Sequence, residues 1–168
     1  SLRNRAAPAT GPGIAGTARV DTRTKNLTKR LRPGDIAVID HQDIDRVSAE
    51  ALVACKPAAV LNAARSTSGR YPNLGPEILV SAGVPLVDDL GPDVLTVPEG
   101  RTLRVVDGQV LDGDRVVAEG TRQDAESVAA AMAEARAGLA VQLEAFAANT
   151  MDYLRRERDL LLDGVGVP

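Results

Sequence analysis

Residues 63–76, A-A-R-S-T-S-G-R-Y-P-N-L-G-P, hold more hydrogen-bonding side chains than any other loop of the chain. Ser66, Thr67 and Ser68 supply hydroxyls, Arg70 a guanidinium, Tyr71 a phenol and Asn73 an amide, while Gly69 and Gly75 leave the backbone free to turn. The run follows an apolar stretch, residues 58–62, and precedes a short helix expected over residues 77–82. A helix N-terminus offers unpaired N–H groups and a partial positive charge, so the chemistry suited to this loop is the binding of a phosphate or another anion. The N–H groups from Gly75 to Leu79 would add to it, less that of Pro76. The competing reading is that the hydroxyls close their own Asx and ST turns.

Elsewhere the chemistry is sparse. Cys55 is the single cysteine; at an apolar helix end it reads as a small buried hydrophobe, and its solitude fits a reducing compartment without disulfides. His41, the only histidine, falls at a strand end and reads as a loop or cap residue. Asp88 and Asp89 are adjacent on an extended segment, so their carboxylates point to opposite sides and a solvated loop is expected rather than a shared metal. Arg23, Lys25, Lys29, Arg30 and Arg32 cluster in sequence and read as a solvated basic face. With a net charge of −3, one Phe, two Tyr and no Trp, neither a global field nor stacking platforms favour nucleic acid. No apolar run is long enough to span a membrane, and the N-terminus lacks the apolar core of a signal peptide.

The elements that would position the loop alternate. Residues 1–12 read as a mobile Ala/Pro/Gly-rich arm, residues 13–20 as a strand, and the second half of 21–32 as a short helix with Leu27 and Leu31 inward. Residues 35–40 form a β-branched strand. A helix follows, with Asp43 as N-cap and Val47, Ala51, Leu52 and Cys55 as its inward stripe. Strand 58–62, the polar loop, helix 77–82 and strand 86–87 complete a parallel α/β half. Strands at 102–106, 109–111 and 115–119, joined by Asp-Gly turns, make an antiparallel meander. The last region, 122–163, predicts one long helix with Thr121 as N-cap and Gly164 as its stop. At roughly 60 Å it outruns a domain of this size. Its stripe, Met132, Leu139, Leu143, Phe146, Tyr153, Leu154, Leu160 and Leu161, is expected to pack partly on the domain and partly on a second copy or a further domain.

Residues 11–120 resemble the swivelling β/β/α domain of phosphoenolpyruvate-utilising enzymes. The likeness rests on Leu31-Arg32-Pro33-Gly34-Asp35-Ile36-Ala37-Val38, on Gly83-Val84-Pro85-Leu86-Val87, and on residues 100–108 in order. It implies an α/β fold: a parallel α/β half plus an antiparallel meander over residues 13–121, followed by one long C-terminal helix. That family carries a phosphorylated histidine in a T-S-H tripeptide. Thr67 and Ser68 match, but Gly69 stands in the third place, and glycine has no nucleophilic nitrogen.

A closer likeness covers nearly the whole chain. Residues 23–31 (R-T-K-N-L-T-K-R-L), 68–76 (S-G-R-Y-P-N-L-G-P), 142–151 (Q-L-E-A-F-A-A-N-T-M) and 153–159 (Y-L-R-R-E-R-D) resemble the SteA-like family of cytokinetic ring proteins. In that family a domain similar to thiamin pyrophosphokinase follows this region, and then a hydrophobic region. The resemblance implies a regulatory or interaction module of cell division, without a catalytic residue or a cofactor of its own. Its partners would be a second copy through the long helix, the downstream domain and cell-division proteins. The expected location is cytoplasmic, with membrane association of the full-length protein at the division site. The alternative is the N-terminal part of a kinase similar to thiamin pyrophosphokinase, with ATP or another nucleotide bound downstream.

Overall fold

The computed structural model describes residues 13–166; the N-terminal arm expected over residues 1–12 lies outside the described residues. Eight strands form one mixed sheet in the order β7-β6-β5-β1-β2-β3-β4-β8. The strands are β1 (Ile14–Val20), β2 (Ile36–Ile39), β3 (Ala59–Asn62), β4 (Leu86–Asp88), β5 (Thr102–Val106), β6 (Gln109–Asp112), β7 (Arg115–Glu119) and β8 (Thr121–Gln123). Strands β1 to β4 are parallel neighbours, β5, β6 and β7 continue antiparallel from β1, and β8 closes the far edge antiparallel to β4. The helices are α1 (Thr24–Thr28), α2 (Arg46–Ala54), α3 (Gly75–Ser81) and α4 (Ala125–Gly166), with a 3-10 turn at Pro92–Thr96. The α/β architecture expected from the sequence, a parallel half, an antiparallel meander and one long helix, is the one observed.

Every residue of β2, β3 and β4 is buried. Two-sided burial is what a central parallel strand needs, and it explains the uninterrupted apolar runs there. Alternation along the strands then divides the core in two. Ala37, Ile39, Val60 and Leu86 face Leu27, Leu31, Ile44, Leu52 and Leu79 from α1, α2, α3 and the segments beside them. Ile36, Val38, Leu61 and Val87 face Val94 and Val97 of the 3-10 region and Leu103, Val105 and Val110 of the meander. The meander thus folds back to cover the sheet face that the helices leave open.

Three local expectations need correction. Asp43 does not cap α2; it sits at φ 53°, and the helix begins after Asp45. That rotates the helix, so Val47 is 73% exposed while Ala49 and Leu52 are buried. Thr121 likewise opens no helix but starts β8, whose pairing with β4 competes successfully with helix propensity. The cap of α4 is Asp124, whose carboxylate accepts the Ser127 N–H at 2.7 Å while the Ser127 hydroxyl accepts the Asp124 N–H at 2.9 Å. The sheet therefore runs through Gln123, the last residue of β8. Gly164 does not stop α4, which runs on to Gly166.

Candidate functional site

Because β2, β3 and β4 are parallel neighbours, their carboxyl ends lie along one edge, the usual position for sites in open α/β sheets. His41 and Asp43 follow β2, Asn62 ends β3 and leads into the 63–76 loop, and Asp88 ends β4. A buried side-chain network ties them together. The Asn62 amide donates to the His41 carbonyl and to Ser66 Oγ, both at 2.8 Å, and its Oδ1 accepts the N–H groups of His41 and Ala64. The Ser66 hydroxyl donates to Asp88 Oδ1 in a very short hydrogen bond. The Ser66 N–H and the Gln123 amide both donate to Asp88 Oδ2, at 3.1 and 3.3 Å.

Asp88 is 3% exposed, not the solvated loop residue expected. Burial pushes its carboxyl up to about 6, and Asp89 pushes the same way; the Ser66 hydrogen bonds and Arg65 pull down. It is the residue that fastens the loop to β4 and, through Gln123, to β8.

A second set of bonds lays the loop along residues 43–44. The Asp43 carboxylate accepts the Ser68 N–H at 2.6 Å and the Ser68 hydroxyl at 3.0 Å. The Asn73 amide donates to the carbonyls of Ile44 and Ser66. The Gly75 N–H, first of α3, donates to the Ile44 carbonyl at 3.0 Å. A side chain at Gly75 would bring its Cβ within 2.1 Å of that oxygen, so this glycine is required by close approach. With the Gly75 donor spent, Pro76 lacking one and Glu77 adding negative charge, the start of α3 offers an anion little.

Of the residues proposed for an anion, Ser66, Ser68, Asn73 and Gly75 are therefore brought together, but their donor groups are bonded within the protein, and only the Asn73 Oδ1 acceptor among them lacks a partner. Gly69 turns at φ 78°, and a Cβ there would lie 3.9 Å from the Glu134 carboxyl carbon of α4. Arg70 and Tyr71 are exposed. Thr67 differs: the residue is 5% exposed and its hydroxyl has no hydrogen-bond partner. It lines a cleft of about 390 Å³ with Arg65, Asp88, Asp89, Gln123 and Glu134. Three carboxyl groups share the cleft with one guanidinium, that of Arg65, the cation an anionic ligand there would meet. The His41 ring is held between Thr24 Oγ1 at 2.9 Å and Asp45 at 3.5 Å, as a loop residue would be. In the basic cluster Arg30 binds Asp21, Glu99 and the Val20 carbonyl. Cys55 is half-buried and donates weakly to the Thr28 carbonyl, and burial raises its thiol. No group of three or more His, Cys, Asp or Glu residues that could hold a metal occurs among the described residues.

The second candidate surface is α4. Val128, Met132 and Ala135 are buried, so Met132 packs on its own domain, beside Glu77 and Val80 of α3. Leu139 is half-buried where the helix leaves the body. Beyond it the expected stripe is bare: Leu143, Phe146, Tyr153, Leu154, Leu160 and Leu161 are each more than half exposed. Met151 and Leu162 add to the uncovered apolar surface. No helix is long and apolar enough to cross a membrane among the described residues.

Sequence reasoning missed Asn62 and Gln123, and gave Asp43 to a helix cap and Asp88 to a solvated loop, where all four shape the 63–76 loop. One signal was present: a polar residue at the end of each of two buried parallel strands, Asn62 and Asp88. With this geometry in hand, a scan against protein-family models returns no match, and no curated protein matches the chain in sequence.

Proposed function

We propose that this chain is a non-catalytic assembly module, in which a rigid α/β body carries a long helix that joins one copy to another. The observation that carries this reading is the apolar face of α4 beyond Leu139, from Leu143 to Leu161, uncovered over roughly 30 Å. Contiguous exposed apolar surface of this extent marks an interaction site in a soluble domain. The reading agrees with the bonding of the 63–76 loop, whose side chains mostly hold the loop in place, and with Gly69 where a carrier histidine would stand. Through the SteA-like resemblance the module belongs to cell division, with nucleotide or diphosphate chemistry assigned to a downstream domain.

Multi-angle light scattering of Leu143→Glu/Leu154→Glu against the unaltered chain tests the assembly. The expected result is a dimer for the parent and at least a 100-fold weaker association for the variant, with circular dichroism unchanged. A parent chain that stays monomeric at high micromolar concentration would overturn the reading.

The unpartnered Thr67 hydroxyl supports a second reading, in which the cleft beside it takes a phosphate-bearing ligand with Arg65 as its cation. Thermal-shift titrations with inorganic phosphate and with ATP, on the parent and on Arg65→Ala, test it. Stabilisation at millimolar ligand that disappears in the variant would support it; no shift in either protein would end it.

A further inference from the structure

We infer that the ligand of the cleft beside Thr67 carries an ammonium group as well as its phosphate. The inference rests on the phosphate-binding reading of that cleft given above and names the ligand's second half.

Thr67 is the side chain that calls for a ligand. It is 5% exposed, and its hydroxyl has no hydrogen-bond partner. Such a hydroxyl has given up water without a replacement, and it can donate to a phosphate oxygen or accept from an ammonium. The cleft it lines holds about 390 Å³, within the roughly 300–1,000 Å³ of small-molecule sites. The loop and the end of β4 wall one side; α4 walls the other, where Ala130 and Ala131 have side chains too short to fill it.

The charges around the cleft are of both signs and unspent. Asp88 is buried, and its two oxygens already accept from Ser66 and Gln123. Arg65, Asp89 and Glu134 remain. All three are exposed, and none of their side chains makes a hydrogen bond or ion pair among the described residues. Arg65 and Asp89 are brought side by side by the backbone, because the Asp89 N–H donates to the Ala64 carbonyl at 3.1 Å. Glu134 comes from α4 and lies over the loop: a Cβ at Gly69 would be 3.9 Å from its carboxyl carbon. A bare phosphate would meet one free cation and two free anions. A ligand with a phosphate for Arg65 and an ammonium for Asp89 or Glu134 pairs both signs, and the excess of carboxylates then favours binding.

Thermal-shift titrations with 2-aminoethyl phosphate, inorganic phosphate and ethanolamine read the two halves separately. On the parent, aminoethyl phosphate is expected to bind about 5-fold tighter than phosphate, the upper end for one added exposed ion pair. Asp89→Asn/Glu134→Gln should erase that advantage and leave the phosphate shift in place; asparagine tolerates the left-handed backbone at residue 89 (φ 57°). Arg65→Ala should abolish both shifts. The same two groups occur on a lipid headgroup. Co-sedimentation with phosphatidylethanolamine vesicles, lost in Arg65→Ala, would support the inference with a lipid as the source, and a solution shift without co-sedimentation would support it with a free small molecule. Equal binding of aminoethyl phosphate and phosphate, or an advantage that the double variant keeps, would overturn the ammonium group and leave the phosphate reading standing. No shift with any of the three, or an ethanolamine shift that survives Arg65→Ala with none from phosphate, would overturn both.

Discussion

At the scale of single residues, the loop that carries most of the hydrogen-bonding chemistry is held by two carboxylates that lie outside it. Asp43 binds Ser68, and Asp88 binds Ser66. Asp88 also sets a pH dependence. Its folded pKa is raised, to about 6, so the native state retains a proton that the unfolded chain has already lost near pH 4. Its contribution is therefore fully present below the unfolded pKa and is lost as pH rises through 6, by about 3 kcal/mol over that window. The test is a difference between melting profiles from pH 4 to 7. The parent should lose stability relative to Asp88→Asn as pH rises, and parallel profiles would count against the assignment. Gly75 gives a second residue-scale prediction. Gly75→Ala must push its Cβ into the Ile44 carbonyl and should cost about 3 kcal/mol by denaturant unfolding. A change within 0.5 kcal/mol would mean the contact relaxes freely.

At the scale of elements, most of the chain was legible because two periodicities are strong in it. The fully apolar runs in β2 and β3 and the Asp-Gly turns of the meander place those strands within a residue or two of the observed bounds. What was not legible depended on partners distant in sequence. Asp43 is a good N-cap by type, but Ser68 competes for its carboxylate, so the helix start moves to Asp45 and Val47 turns outward. Thr121 looks like a cap until β4 supplies a strand edge for it to pair with. The same limit explains the loop: its density of polar side chains was legible, but only the structure shows that Asn62 and Asp88 engage the Ser66 hydroxyl. The divided role of α4 was visible as a stripe too long for the body, while the point of division, near Leu139, required the fold.

At the scale of the molecule, the proposed assembly role makes the α/β body a mount for α4. The sheet is closed at β8, α4 begins directly after it, and the Asp124–Ser127 cap sets the helix direction. Buried residues Val128, Met132 and Ala135 fix the helix to the body, so its free length projects at a defined angle. A projecting helix with an apolar face suits the joining of copies more than it suits catalysis. Small-angle X-ray scattering of the chain in solution tests this most directly, because it reports mass and arrangement together. Joining through the free length of α4 predicts the mass of a dimer at high micromolar concentration, falling to that of a monomer for Leu143→Glu/Leu154→Glu. A monomer's mass for the parent chain would contradict it.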